Sequence, residues 1–134
     1  MPHLVIYYTP QIEAQTDMSA LCRRLADTML TVRDEAGKAV FPVGGVRVLA
    51  YPAAHHATTD GSGDHAFCYL NLRRGRGRGA AVHQQAGDAL VAEARAHFEP
   101  LLGTRAIGLT LQIDEGPEVF DGKFGNLHPL FTKP

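Results

Sequence analysis

Two stretches of this chain repeat one order of hydrophobic patterns, and that order constrains the fold more than any single residue does. The first opens on Leu4-Val5-Ile6-Tyr7-Tyr8, an apolar run that reads as a buried strand over residues 3–8. Thr9-Pro10 ends it, and Thr16-Asp17 offer a cap for a helix over about residues 17–32. Met18, Leu21, Cys22, Leu25, Met29 and Leu30 fall at helical spacing on one face of that helix. Beyond Phe41-Pro42-Val43-Gly44-Gly45, residues Val46 to Tyr51 alternate as a second strand. Val46, Val48 and Ala50 share one side of it; Arg47, Leu49 and Tyr51 share the other.

The same order then recurs. Ala66 to Leu72 form a third strand, and a helix begins near Ala80 and ends around Leu102-Gly103. Its apolar stripe is Val82, Ala86, Ala89, Leu90, Ala94, Phe98 and Leu101. Ile107, Leu109, Leu111 and Ile113 alternate along a fourth strand. A strand, a helix and a strand in each half give parallel pairs, because a helical crossover returns the chain in the same direction. The predicted fold is α/β (α+β): a tandem β-α-β repeat forming a four-stranded sheet with two helices on one face. It reads as one domain, with halves at about 1–58 and 59–115 and a tail over 116–134 that holds one short ordered piece near Leu130-Phe131. The uncovered face of such a sheet is apolar and calls for further copies of the chain.

The 134 residues suffice for one core, and a net charge of −1 supplies no global field for nucleic acid or anionic lipid. Two cysteines, Cys22 and Cys68, lie in apolar-periodic segments and read as buried reduced thiols in a reducing compartment. No stretch approaches the ~20 apolar residues of a membrane span, so the expected location is cytoplasmic.

Pro2 is the sharpest chemical feature. Loss of Met1 would leave a secondary amine at the very start of the first strand. An α-amino group titrates near pH 8 in a model peptide, and burial or nearby cations lower that value, giving a base suited to proton transfer near neutrality. The plainer reading is a strand start at which a missing N–H costs nothing. Arg47, set within the second strand, must face solvent, an ion-pair partner or a ligand, and strand pairing can bring it near Pro2. Arg73, Arg74, Arg76 and Arg78 crowd the turn before the second helix. A helix N-terminus with planar guanidinium groups suits a carboxylate or phosphate, although most of these arginines read as a solvated loop. Gly75-x-Gly77-x-Gly79 lacks the spacing of a dinucleotide site. His55-His56 has no ligand spacing for a metal, and Ser19 and Ser62 lack the setting of a nucleophile.

The opening Met1-Pro2-His3, the segment Phe41-Pro42-x-x-Gly45-x-Arg47, and Gly77-Arg78 followed by Gln84-Gln85-Ala86-Gly87 resemble the 5-carboxymethyl-2-hydroxymuconate isomerases of the tautomerase superfamily. So do His97-Phe98 and Asn126-x-His128-x-Leu130-Phe131, and the resemblance covers nearly the whole chain. It implies a homotrimer without a cofactor, in which the proline nitrogen is the catalytic base. The substrate would be a small dienol carboxylic acid, converted to its conjugated ketone during breakdown of homoprotocatechuate. Carried across, Pro2 matches the catalytic proline, and Arg47 and Arg78 match substrate-binding arginines; Arg76 is a further candidate for substrate binding. Arg74 and Arg76, where the family has apolar or small residues, and the longer 52–64 connection depart from the pattern. An arginine-glycine nucleic-acid contact over Arg73 to Gly79 is a further alternative, disfavoured by the near-neutral charge and the lack of interleaved aromatics, and no apolar run points to a membrane partner. Other proline chemistry on unsaturated acids (hydration, dehalogenation, decarboxylation) and a non-catalytic trimeric binding protein are the competing readings.

Overall fold

The computed structural model describes residues 2–131. Its elements run β1 (His3–Tyr8), α1 (Met18–Thr31), β2 (Val48–Pro52), β3 (Ala66–Arg74), α2 (Ala80–Leu102) and β4 (Ile107–Glu115). Short 3-10 turns at Pro10–Ile12, Val43–Gly45 and His128–Phe131 punctuate the connections. The four strands form one sheet in the order β2-β1-β3-β4. β1 and β2 are parallel, as are β3 and β4, while the central pair β1–β3 is antiparallel. Each helix thus serves as the crossover of its own half, as the repeated pattern requires.

Period-two burial along the strands sets the core. Leu4, Ile6 and Tyr8 of β1 and Cys68, Leu70 and Leu72 of β3 are buried beneath both helices. From α1 come Met18, Leu21, Leu25 and Met29; from α2 come Val82, Ala86, Leu90, Ala94 and Phe98. The helical stripe of the sequence is therefore the packed face, apart from its flanking members. Asp17 caps α1 by accepting from the Ala20 N–H at 3.0 Å, satisfying one donor that the first turn leaves open. Arg24 donates to Glu93 at 2.7 Å and ties the two helices together.

Two expectations are corrected. β2 starts at Val48, so Arg47 stands just before the strand and not within it. β3 runs two residues beyond Leu72, which places Arg73 and Arg74 in the strand and not in a solvated loop. Period two then points Arg74 to the helix side, where it is 6% exposed. On the opposite side of the sheet Tyr7, Leu49, Tyr51 and Phe67 are exposed.

Candidate active site

Because β1 and β3 are antiparallel and β1 and β2 parallel, one end of the sheet gathers the starts of β1 and β2 and the finish of β3. His3 pairs with Arg73 there, and Leu4 pairs with Val48. The Leu4 N–H donates to the Arg47 carbonyl at 3.0 Å, which fixes the backbone of Arg47 beside the residues that lead out to Pro2. Pro2 and Arg47 are both half-buried.

The turn before β2 shapes the surroundings of Pro2. The Gly45 N–H donates to the Pro42 carbonyl at 2.9 Å and closes a 3-10 turn whose two glycines are buried. A Cβ on Gly45 would sit 3.6 Å from Pro2 Cδ, so this backbone lies directly against the proline ring. A Cβ on Gly44 would meet His128 Nδ1 at 2.7 Å and His128 Cα at 2.8 Å. Those distances leave no room for a side chain, so Gly44 lets the tail close against the turn.

Between these parts is an open cavity of about 740 Å³. Pro2, Pro42, Gly44 and Arg47 form one wall. The tail forms the other with Lys123, Phe124, Leu127 and His128. Most of this surface is apolar, and Arg47 and Lys123 are the permanently charged residues that line it. Such a chamber suits a small conjugated anion: apolar walls accept its carbon frame and cations take its carboxylates.

The remaining candidates are placed elsewhere. Arg78 stands at the same sheet end but pairs with Asp34 at 3.6 Å, outside the cavity lining. Asp34 in turn accepts from the N–H groups of Ala36 and Lys38 at 3.0 and 2.9 Å, organising the turn after α1. Arg76 is exposed and Gly77 adopts a positive φ of 109°, so this loop turns outward before α2. Arg74 lies over the Phe41 ring at 5.0 Å, and its Nε and Nη1 have no hydrogen-bond partner among the described residues. Burial, with help from the Arg78 charge, lowers the pKa of its guanidinium. His55 and His56 are exposed, and no described group of His, Cys, Asp and Glu is placed to hold a metal ion. Cys68 is buried and its thiol is pushed up to about 12, chiefly by desolvation, with no disulfide to Cys22.

Sequence reasoning missed the tail wall. Lys123, Phe124 and His128 lie far from Pro2 in the chain and in a segment without periodicity. The signal available was the quoted Asn126-x-His128-x-Leu130-Phe131 pattern, which carries no contact information of its own.

The opposite sheet end repeats the plan. The Ala66 N–H donates to the Ala106 carbonyl at 3.0 Å, as Leu4 does to Arg47. Two residues before Ala66, in the place that Pro2 holds before Leu4, stands Asp64. Arg105 grips its carboxylate at 2.8 Å and its carbonyl at 2.9 Å, and Gln11 donates to it at 3.1 Å.

The family model described as 5-carboxymethyl-2-hydroxymuconate isomerase matches residues 2–131. A 5-carboxymethyl-2-hydroxymuconate Delta-isomerase of Escherichia coli is 28% identical over 131 residues, covering 98% of this chain and 99% of its own. A crystal structure of a 5-carboxymethyl-2-hydroxymuconate delta-isomerase superposes with a TM-score of 0.96 at 57% identity, covering 100% of this chain and 95% of the other. A second, from Deinococcus radiodurans R1, gives a TM-score of 0.86 at 33% identity over 98% and 95% of the two chains. With a matching sheet, a proline before its first strand and an arginine beside it, the chain belongs to the 5-carboxymethyl-2-hydroxymuconate isomerase family of the tautomerase superfamily.

Proposed function

We propose that this protein is a cofactor-independent isomerase that converts the dienol of 5-carboxymethyl-2-hydroxymuconate, or a close analogue, to its conjugated ketone during aromatic acid breakdown. The observation that carries this reading is the shared cavity of Pro2 and Arg47. Removal of Met1 frees the Pro2 nitrogen as a secondary amine. In its neutral form that nitrogen takes the proton of the enol hydroxyl, leaving a dienolate and a prolinium. The prolinium then returns one proton to a distant carbon of the conjugated chain. One proton leaves oxygen and one arrives at carbon, so the reaction is balanced without an oxidant or a second substrate.

Arg47 holds a carboxylate and faces the charge that spreads through the dienolate; a preorganised cation of this kind stabilises the transition state more than the ground state. Its charge also opposes protonation of Pro2. Arg78 is assigned an outer role, adding positive potential at the same sheet end while paired to Asp34. Arg76, exposed on the loop, is the weaker candidate for a substrate contact.

The working form is a homotrimer, in which the exposed face bearing Tyr7, Leu49, Tyr51 and Phe67 is covered by neighbouring copies. Free thiols suit a cytoplasmic location. Mass spectrometry of the mature chain followed by assay of Pro2→Ala tests the reading. The expected result is a chain beginning at Pro2 and a loss of about 10²–10⁴-fold in kcat, the usual contribution of one acid–base group. A mature chain that keeps Met1 yet isomerises the dienol would overturn it. Activity on 3-haloacrylates in place of the dienol would favour the dehalogenase alternative.

A further inference from the structure

The proposed substrate carries more charge than Arg47 alone can match. Muconate is a six-carbon dienedioic acid, and the carboxymethyl group adds a third carboxylate. Placing carboxylates against apolar walls without a cation for each is costly, because an unpaired charge loses its hydration. Arg78 is paired with Asp34 outside the cavity, which leaves Lys123 as the other permanent cation on its lining among the described residues.

Lys123 is suited to exchange partners. Its Nζ lies 2.8 Å from Asp121 Oδ2, and the two side chains are 52% and 46% exposed. An exposed pair of this kind is held weakly, since water and salt compete for both charges. A substrate carboxylate inside the cavity meets less water and competes better. The flexible four-carbon stem of lysine can follow that carboxylate, where the rigid guanidinium fork of Arg47 cannot.

We propose that Lys123 is a second substrate-binding cation, which releases Asp121 and takes a carboxylate of the bound acid. The tail is then part of the recognition surface, and the Lys123–Asp121 pair is the resting state of a charge waiting for its ligand. The proposal rests on the function assigned above. Its test therefore includes a binding measurement that does not depend on turnover.

Lys123→Met should raise KM for the tricarboxylate dienol by about 10- to 100-fold, the range set by losing a hydrogen bond to a charged group, while kcat changes far less. Lys123→Arg should restore most of the affinity. Asp121→Asn should lower KM, by about twofold, because it removes the competitor; a purely structural pair would make both substitutions harmful. Calorimetric titration of propane-1,2,3-tricarboxylate should show the same ranking of Kd across wild type, Lys123→Met, Lys123→Arg and Asp121→Asn. Unchanged Kd and KM in Lys123→Met would overturn the assignment even if Pro2→Ala is inactive, and so would a harmful Asp121→Asn. Should wild type bind the tricarboxylate with this ranking but fail to isomerise the dienol, the isomerase reading falls and the lysine assignment stands.

Discussion

The backbone of Leu4 donates to the carbonyl of Arg47 at 3.0 Å, and this single bond couples the first residues of β1 to the approach to β2. That bond is made by the main chain of Arg47, and its side chain lines the cavity beside Pro2.

Arg47→Met should weaken substrate binding while the strand ladder is kept. The backbone bond from Leu4 keeps its donor and acceptor, so the variant should still melt as one cooperative unit. KM for the dienol acid should rise by about 10- to 100-fold with the loss of a charge-assisted hydrogen bond. Steady-state kinetics beside a thermal melt checks both halves of the prediction.

Gly44→Ala should open the cavity from the other side. The new methyl would meet His128 Cα at 2.8 Å, and backbone cannot swing aside as a flexible side chain can. The His128–Phe131 turn should be displaced, carrying the tail wall with it. We expect kcat/KM to fall by at least about tenfold, since misplacing a cavity wall by 1 Å can cost far more. Limited proteolysis should cut the tail sooner while the helices stay protected.

Arg74→Leu should leave the fold intact and make it as stable or more stable. A buried guanidinium with two nitrogens unpartnered among the described residues carries a desolvation cost that its contact with Phe41 offsets only in part. Leucine would extend the apolar row of Leu70 and Leu72. Replacing buried charge by apolar packing is commonly neutral or stabilising by about 1–4 kcal/mol, which a shift in urea midpoint would register. A clear loss of stability would show that Arg74 has a partner in the assembled protein.

His97 should give stability a pH dependence. Its pKa is lowered, mainly by burial and secondarily by the Arg24 charge, and its Nε2 lies 2.8 Å from the Thr16 hydroxyl. A folded pKa below the unfolded one means that the unfolded chain takes up the proton first. Stability is then fully present above the ordinary histidine value of about 6.5 and declines as pH falls through the lower folded value. Thermal midpoints from pH 7.5 to 5 should fall less steeply in His97→Gln than in wild type.

Most of the scaffold was legible because its signals are local. The apolar row of β1, the stripe from Met18 to Met29 and the alternation from Ile107 to Ile113 each carry their own period, and each became the expected element. Arg47 was misjudged by one residue because Val46-Arg47-Val48 alternates as a strand whether or not its first members find a ladder. Arg74 was misread for a different reason: a run of arginines and glycines looks solvated, and only the extended reach of β3 turns one member inward. The tail wall was beyond reach, since its closure on Gly44 depends on two segments far apart in sequence fitting against each other. Pro2 stands out by its position alone, whereas Lys123 and His128, which line the same cavity, carry no periodic signal.

The grip of Arg105 on Asp64 gives the two-fold-like plan an asymmetric outcome. A polypeptide has one amino terminus, so only one extremity of the sheet can offer a free imino nitrogen; the residue in the corresponding place at the other is an internal link of the chain. There the guanidinium lashes the end of the 52–64 connection to the base of β4, and Gln11 lashes it to the turn after β1. One extremity is thereby left open to solutes while its counterpart works as a fastening.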